Sequence, residues 1–165
     1  MIILGIDPGL AIVGWGVVES VRGRFRTLGY GAIRTPAGTR TEDRLLLIYR
    51  ELQAIIAHYH PDEMAVEELF FTNNVTTGIR VAEARGIVLL CGEQNQLPIA
   101  EYTPPQVKQA VVGYGKAEKK QVIAMVTSIL RLAEPPKPDD TADALAIAIC
   151  HGHCGTSRLA SYFNK

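Results

Sequence analysis

Four acidic residues hold positions from which carboxylates could act together on a phosphodiester. Asp7 stands at the end of the first apolar run and Glu67 at the end of a later one, while Asp140 and Asp143 are separated by two residues. Residues spaced in this way share one face of a helix, with about 5–6 Å between their Cβ atoms. Oxygen ligands suit Mg²⁺ or Mn²⁺, and two ions about 3.5–4 Å apart can activate a water and stabilise a leaving oxygen. These residues therefore predict metal-dependent phosphodiester hydrolysis, provided that the fold brings them together.

Each acid also has an ordinary structural interpretation. Asp7 precedes Pro8-Gly9, as many turn aspartates do, and Asp140 and Asp143 could simply favour the start of a helix. Glu67 is the strongest pointer to a site, because its strand should be buried and an unpaired buried carboxylate is costly. Spacing alone leaves both interpretations open, since convergence of the four acids depends on the fold.

The apolar pattern predicts five strands and five helices. Apolar, β-branched runs indicate strands over 2–7, 12–18, 24–33, 63–67 and 98–102. Three- and four-residue apolar spacing, with Pro104 at one first turn, indicates helices over 41–59, 75–94, from 104, over 117–131 and from 139. Thr39 and Glu42 fit a capping box for the first helix. A three-stranded meander followed by strand–helix units predicts a ribonuclease H-like α/β fold, a five-stranded mixed sheet with helices on both faces. We expect one domain over 1–165.

Composition limits the partners and the compartment. The 165 residues include 17 lysines and arginines and 17 aspartates and glutamates, so net charge indicates no particular partner. Three cysteines, an odd number, argue against a disulfide framework and suit a reducing compartment. The amino terminus lacks the basic segment of a signal peptide, and no apolar run reaches the ~18 residues of a membrane span. We expect a cytoplasmic protein without membrane contact.

A group of lysines gives this neutral chain a candidate DNA-binding face. Lys108, Lys116, Lys119 and Lys120 lie close together, interleaved with the glycine-containing segment 113–115. Lysines beside such a loop can contact phosphates through charge without reading bases. The alternative is a solvated helix face, which is usual for lysine runs.

Small residues recur every four positions on the second long helix. Gly78, Ala82 and Gly86 form a stripe that lets another helix approach closely. The approaching helix could belong to the same subunit or to a second copy of the chain.

The segment Cys150-His151-Gly152-His153-Cys154 has the residue types of a metal site. Zinc sites usually need four ligands, often from two separated pairs. The chain has no second pair of this kind, so we expect no zinc site there.

Four segments, in order along the chain, resemble the RuvC family of bacterial Holliday-junction resolvases, which are crossover junction endodeoxyribonucleases. These segments are Ile3 to Gly9, Ala65 to Glu67, Gln106 to Gln109 and Asp140 to Ala148. The resemblance extends from residue 2 to about residue 153. It implies a homodimer that nicks two strands of a four-way DNA junction symmetrically, at a short thymine-containing sequence, in homologous recombination and DNA repair.

The same resemblance assigns the catalytic residues. It makes Asp7, Glu67, Asp140 and Asp143 the metal-binding carboxylates of a Mg²⁺-dependent endonuclease, with two ions per site and Mn²⁺ as a possible substitute. Some members of the family have a histidine at the position of Asp140.

The resemblance also implies contacts to DNA and to partners. Lys108 and Lys119 match basic positions that the family uses on DNA, and the helix over 75–94 matches the dimer contact. The family has an aromatic residue at the position of Phe70, so we expect Phe70, rather than Phe71, to stack on an unpaired base at the junction. A junction-binding and branch-migration helicase complex is the further partner that the family implies.

Three other functions compete with this interpretation. Sugar-kinase-like and actin-like ATPases also begin with an Asp-x-Gly turn, but they need a hydroxyl residue after the glycine, where this chain has Leu10, and a second lobe. A catalytically inactive DNA-binding module of the same fold would not need all four acids. A ribonuclease H acting on RNA–DNA hybrids would have a similar set of carboxylates, and only the substrate distinguishes it.

Overall fold

The computed structural model describes the backbone of residues 1–68 and 75–155 and the side chains of 1–68 and 78–154. The strands are β1 (Ile2–Asp7), β2 (Ile12–Val21), β3 (Arg24–Arg34), β4 (Glu63–Glu67) and β5 (Ile99–Tyr102). The helices are α1 (Thr41–Tyr59), α2 (Val75–Gln94), α3 (Pro104–Val112), α4 (Lys119–Ile129) and α5 (Asp139–Gly155). The predicted order of elements is confirmed, and β2 continues three residues beyond its predicted end.

The five strands form one mixed sheet in the order β3-β2-β1-β4-β5. β2 is antiparallel to both β1 and β3, as expected of a meander. β4 is parallel to β1 and to β5, because α1 and α2 carry the chain back across the sheet before each of these strands begins. The predicted five-stranded mixed sheet is therefore confirmed. Among the described residues, no helix is both long and apolar enough to cross a membrane.

Both faces of the sheet are covered by helices, as predicted. Ile3 of β1 belongs to an apolar cluster formed with residues of α3, α4 and α5. Leu4 and Ile6 belong to a second cluster, formed with residues of α1 and α2. Side chains alternate between the two faces of a strand, so Asp7 points to the same side as Ile3, the side of α5.

Three glycines of the sheet let α5 lie directly on β1 and β2. A methyl group at Gly5 would overlap the carbonyl oxygen of Ala144 on α5, and one at Gly16 would lie 2.6 Å from the Leu145 side chain. A methyl group at Gly14 would overlap the carbonyl oxygen of Asp140. Because these positions have no side chains, the first turn of α5 reaches the end of β1.

The first helix begins differently from the prediction. The capping box of Thr39 and Glu42 is wrong, because the N-cap is Arg40 and makes no side-chain capping hydrogen bond. The Thr39 hydroxyl donates instead to the Pro36 carbonyl over 2.9 Å, and Arg40 binds Asp43. A capping box does form at α3, between Thr103 and Gln106.

The contact at Gly14 leads to a test of stability. Gly14→Ala should lower the free energy of unfolding by about 1–3 kcal/mol, the usual cost of overpacking a tight contact, because the new methyl group would meet backbone atoms of Asp140. Urea unfolding followed by circular dichroism measures this difference. A variant as stable as the parent protein would show that α5 does not rest on this glycine.

Candidate active site

The fold brings the four predicted carboxylates to one end of the sheet. β1 and β4 are parallel neighbours with Ile6 opposite Val66, so Asp7 and Glu67 follow at adjacent strand ends. Asp7 also lies opposite Gly14, the residue on which the backbone of Asp140 rests. Asp140 and Asp143 are both half-buried in the first turns of α5. The side chains that can form the site thus come from two strands and one helix.

Two neighbouring acids, Glu68 and Asp139, are more exposed than the acids proposed for the site. Glu68 and Asp139 are exposed, whereas Glu67 and Asp140 are half-buried. Glu68 follows Glu67 directly, and its backbone N–H donates to the Tyr102 carbonyl over 2.8 Å. This difference agrees with the expectation that Glu67 and Asp140 face the site.

Thr141 anchors the start of α5 between the two aspartates. Its side chain is fully buried, and its hydroxyl donates to the Gly31 carbonyl of β3 over 3.2 Å. This contact is not predictable from the sequence, because a threonine at the start of a helix gives no sign of a partner on a distant strand.

Asp7 carries the strongest electrostatic perturbation in the cluster. Burial, and then the charges of Glu67, Asp143 and Asp140, raise the pKa of Asp7 to about 8, while Lys119 opposes the shift. Without a cation beyond Lys119, Asp7 holds a proton at neutral pH. The repulsion also shows that the four carboxylates are close enough to act on one another.

Glu67 and Asp143 are perturbed in the same direction. Burial and then Asp143 raise the pKa of Glu67 to about 6, against the opposing charges of Lys119 and Lys108. Burial also raises the pKa of Asp143, although its hydrogen bond with Lys119 acts in the opposite sense. The site therefore has more buried negative charge than its lysines neutralise.

Lys119 is a member of the carboxylate cluster. Its Nζ lies 2.9 Å from Asp143 and 3.7 Å from Asp139. Burial lowers the pKa of Lys119, but the hydrogen bond and charge of Asp143 outweigh that effect, so the pKa is raised. The Lys119 amine therefore stays charged beside Asp143.

The other three predicted lysines are distributed unequally around the site. Lys108 is close enough for its charge to lower the pKa of Glu67. Lys120 is bound to Glu118 with 81% of its side chain exposed, and Lys116 is exposed. The structure thus brings Lys108 and Lys119 to the carboxylates, and leaves Lys116 and Lys120 on the surface beyond them.

The donor set fits hard divalent cations. In residues 1–68 and 78–154, no three histidine, cysteine, aspartate or glutamate side chains are grouped closely enough to hold a metal ion as they stand. The charges of Glu67, Asp140 and Asp143 nevertheless raise the pKa of Asp7, and that of Asp143 raises the pKa of Glu67. Oxygen-only ligands with excess negative charge suit Mg²⁺ or Mn²⁺. Asp7, Glu67, Asp140 and Asp143 would hold such ions.

The cysteine and histidine segment forms the last turns of α5, against β4 and β5. His151 is buried, with Nδ1 2.8 Å from the Tyr102 hydroxyl and Nε2 2.6 Å from the Glu63 carboxylate. Both of its ring nitrogens are therefore engaged within the protein. Cys150 and Cys154 are not disulfide-bonded.

Arg85 of α2 holds the end of β4 in place, a role that the sequence did not indicate. Its Nε donates to the main-chain carbonyl of Glu67 over 3.3 Å, and its guanidinium also binds Glu101 of β5. Only 15% of the Arg85 side chain is exposed. A single buried arginine therefore joins α2 to the strand end that carries Glu67.

The small-residue stripe of α2 faces outward. Gly86 is exposed, and a methyl group there would have no neighbour within 4 Å. Gly78 and Ala82 are half-buried, and the nearby Ile79 and Leu90 are 53% and 47% exposed. Packing inside the subunit therefore does not account for Gly86. Phe70 and Phe71 lie outside the described residues.

A mixed sheet of this order, with acids at the ends of β1 and β4 and at the start of α5, defines a ribonuclease H-like protein with a carboxylate site. Residues 3–151 match the family model described as crossover junction endodeoxyribonuclease RuvC. The chain belongs to this family.

Relatives and solved structures agree with this assignment. The crossover junction endodeoxyribonuclease RuvC of Heliobacterium modesticaldum is 58% identical over 160 residues, covering 97% of this chain and 99% of that protein. The RuvC of Alkaliphilus oremlandii is 56% identical over 155 residues, 94% of each chain. The structure of T. thermophilus RuvC in complex with a Holliday junction substrate superposes with a TM-score of 0.86 at 37% identity, covering 92% of each chain.

The raised pKa of Asp7 leads to a test on the metal-free protein. A carboxyl whose folded pKa of about 8 lies above its unfolded value of 3.8 contributes stability at low pH, and this contribution is lost as pH rises through about 8. In chelator, the free energy of unfolding of Asp7→Asn minus that of the parent protein should therefore increase from about pH 5 to about pH 9.

Urea unfolding at both pH values measures that gain. Asp43→Asn is the control, because Arg40 lowers the pKa of the exposed Asp43 and its removal should give no such gain. An equal stability difference between Asp7→Asn and the parent at both pH values would mean that Asp7 is not perturbed.

Proposed function

We propose that this chain is a Mg²⁺-dependent endodeoxyribonuclease that resolves four-way DNA junctions by paired, symmetric nicks, in recombination and repair. The observation that carries the proposal is the convergence of Asp7, Glu67, Asp140 and Asp143 at one sheet end, with more buried negative charge than Lys119 neutralises. Such a cluster is costly to an inert protein and useful to one that binds divalent cations.

The carboxylates are the metal ligands in this proposal. When bound, two Mg²⁺ ions, or Mn²⁺ in their place, would supply Lewis-acid activation of a water and of the leaving oxygen. Asp7 holds its oxygens at the deepest position, where burial and its neighbours raise its pKa to about 8. With ions on the carboxylates, Lys119, which lies 2.9 Å from Asp143, would be free to contact a DNA phosphate instead.

The DNA lies across the face that carries the lysines. Lys108 and Lys119 act nearest to the cut, because both are close enough to the carboxylates to change their pKa values. Lys116 and Lys120 contact phosphates farther along the duplex, through charge alone. Phe70 stacks on an unpaired base of the junction, since it follows Glu67 closely along the chain.

The active unit is a homodimer formed through α2. Gly78, Ala82 and Gly86 let the two copies of α2 approach closely, and the exposed side chains of Ile79 and Leu90 supply apolar area to bury. A two-fold axis gives two equivalent sites, as matched nicks on two strands require. We further propose that the dimer works in the cytoplasm with a junction-binding and branch-migration helicase complex.

The metal assignment is tested by removing one charge at a time. Glu67→Gln and Asp7→Asn should each slow junction cleavage by more than about a hundredfold, because each removes a charge that binds the ions. Junction binding should survive, since the lost carboxylates repel phosphate. Cleavage of a labelled junction in Mg²⁺ and binding in chelator measure the two properties.

Glu68→Gln is the matched control for Glu67→Gln, because Glu68 is adjacent on the chain but exposed. Near-normal cleavage by Glu67→Gln would show that the catalytic assignment is incorrect. Comparing a four-way junction, a linear duplex and an RNA–DNA hybrid in the same assay separates a junction resolvase from a ribonuclease H and from an inactive binding module.

The dimer is tested by placing a charge on the stripe. Ala82→Arg should bring two guanidinium groups into a close helix contact and convert the dimer into monomers at micromolar concentration, as measured by sedimentation. Ala54→Arg is the control, because Ala54 is an exposed alanine on α1. A parent protein that already sediments as a monomer would be evidence against the interface.

A further inference from the structure

A cleft of about 360 Å³ has Asp140, one of the four carboxylates, in its lining. The segment 9–12 between β1 and β2 forms its floor, and Arg44 of α1 and Arg80 of α2 line it. Asp140 forms part of its wall, so the cleft is continuous with the proposed metal site. Nothing in the carboxylate chemistry makes use of these two arginines.

Arg44 is held in position inside this cleft. Its Nε donates to the Thr35 hydroxyl over 2.8 Å, and that hydroxyl donates to the Leu10 carbonyl over 2.6 Å. Thr35 is buried and Arg44 is half-buried. This chain of hydrogen bonds uses only the Nε edge of the guanidinium, and it fixes the plane of the group before any ligand arrives.

Arg44 and Arg80 are among the arginines of the described residues that form no ion pair, and both line this cleft. Arg26, Arg40 and Arg85 each form an ion pair. Within the described parts of the chain, no carboxylate lies within ion-pair distance of Arg44 or Arg80. Two guanidinium groups without acidic partners, one of them fixed, make a site for an anion with several oxygens.

The position of the cleft identifies the anion. Asp140 is shared between the cleft and the carboxylate cluster, so a strand with its scissile phosphate at the carboxylates would bring a neighbouring phosphate to the cleft. Two guanidinium groups, of Arg44 and Arg80, face this one acid in the lining, so the cleft keeps a net positive charge. The floor of Leu10 and Ile12 is apolar, which suits a deoxyribose.

We propose that Arg44 and Arg80 form a binding site for the DNA backbone phosphate adjacent to the scissile phosphate on the cleaved strand. This inference rests on the proposed function, because it takes the carboxylates as the point of cleavage. The site binds any sequence, since it contacts the backbone. Together with the metal site, it fixes two successive phosphates and so sets the direction of the strand through the site.

A double-mutant cycle, with one change in the protein and one in the DNA, tests the contact without cleavage. Junctions carrying one neutral methylphosphonate, at successive positions around the cut, are titrated with protein in chelator. One flanking position should weaken binding by the parent protein by about tenfold, the size of a charge-assisted hydrogen bond. Arg80→Gln and Arg44→Gln should each bind the normal junction less tightly than the parent protein does. A methylphosphonate at that flanking position should weaken the binding of these variants little further.

Arg50→Gln is the matched control, because Arg50 lies on the same helix as Arg44 but is exposed and outside the cleft. It should respond to the methylphosphonate as the parent protein does. Arg44→Gln could also lose stability with its bond to Thr35, so Arg80→Gln, which changes an exposed residue, decides the outcome. The salt dependence of binding should fall by about one unit of slope per lost contact.

Two results separate this inference from the proposed function. In the first, the parent protein cleaves junctions in Mg²⁺, but the losses of binding free energy from Arg80→Gln and from every methylphosphonate simply add. The cleft then does not bind phosphate, and the nuclease assignment stands. If one position shows the non-additive result but the parent protein cleaves no junction, the cleft binds DNA and the nuclease assignment fails.

Discussion

The contact between α5 and the glycines of β1 and β2 is the constraint on which the site depends. Gly5, Gly14 and Gly16 allow the helix backbone to lie directly on the sheet, and any side chain at these positions would push it away. Because Asp140 rests on Gly14, and Gly14 lies opposite Asp7, the depth of this packing sets the separation of the carboxylates. Helix packing and the geometry of the carboxylates are thus one property of the fold.

This arrangement carries an electrostatic cost that the rest of α5 helps to offset. Burial and mutual repulsion raise the pKa of Asp7 to about 8 and that of Glu67 to about 6, so the folded protein without cations is destabilised by its own site. Beyond its first turns, α5 buries Leu145, Ile147 and Ile149 almost completely, and apolar burial of this kind is the main favourable term in folding. The same helix therefore contains both the strained acids and much of the core.

The sequence predicted those features that depend on local pattern. Apolar spacing was sufficient for the order of strands and helices, and the buried strand around Glu67 marked it as the most informative acid. The start of α1 was predicted wrongly, because Thr39 found a closer partner in the Pro36 carbonyl. The bond from Lys119 to Asp143 and that from Arg85 to the Glu67 carbonyl join elements far apart in sequence. No spacing rule along the chain encodes such contacts, because they depend on how the helices sit on the sheet.

α2 connects the proposed assembly surface with the proposed chemistry. Its outer side exposes Ile79, Gly86 and Leu90, and its inner side buries Ala84 and Val88 in the core. Between these two sides, Arg85 reaches the Glu67 carbonyl and Glu101. Close-packed interiors transmit strain. A shift of α2 against the sheet would therefore displace Arg85 from the end of β4. Arg80, on the same helix, would leave the cleft in the same movement. The position of α2 and the geometry around Glu67 are therefore not independent, and a partner that holds α2 also holds one wall of the site.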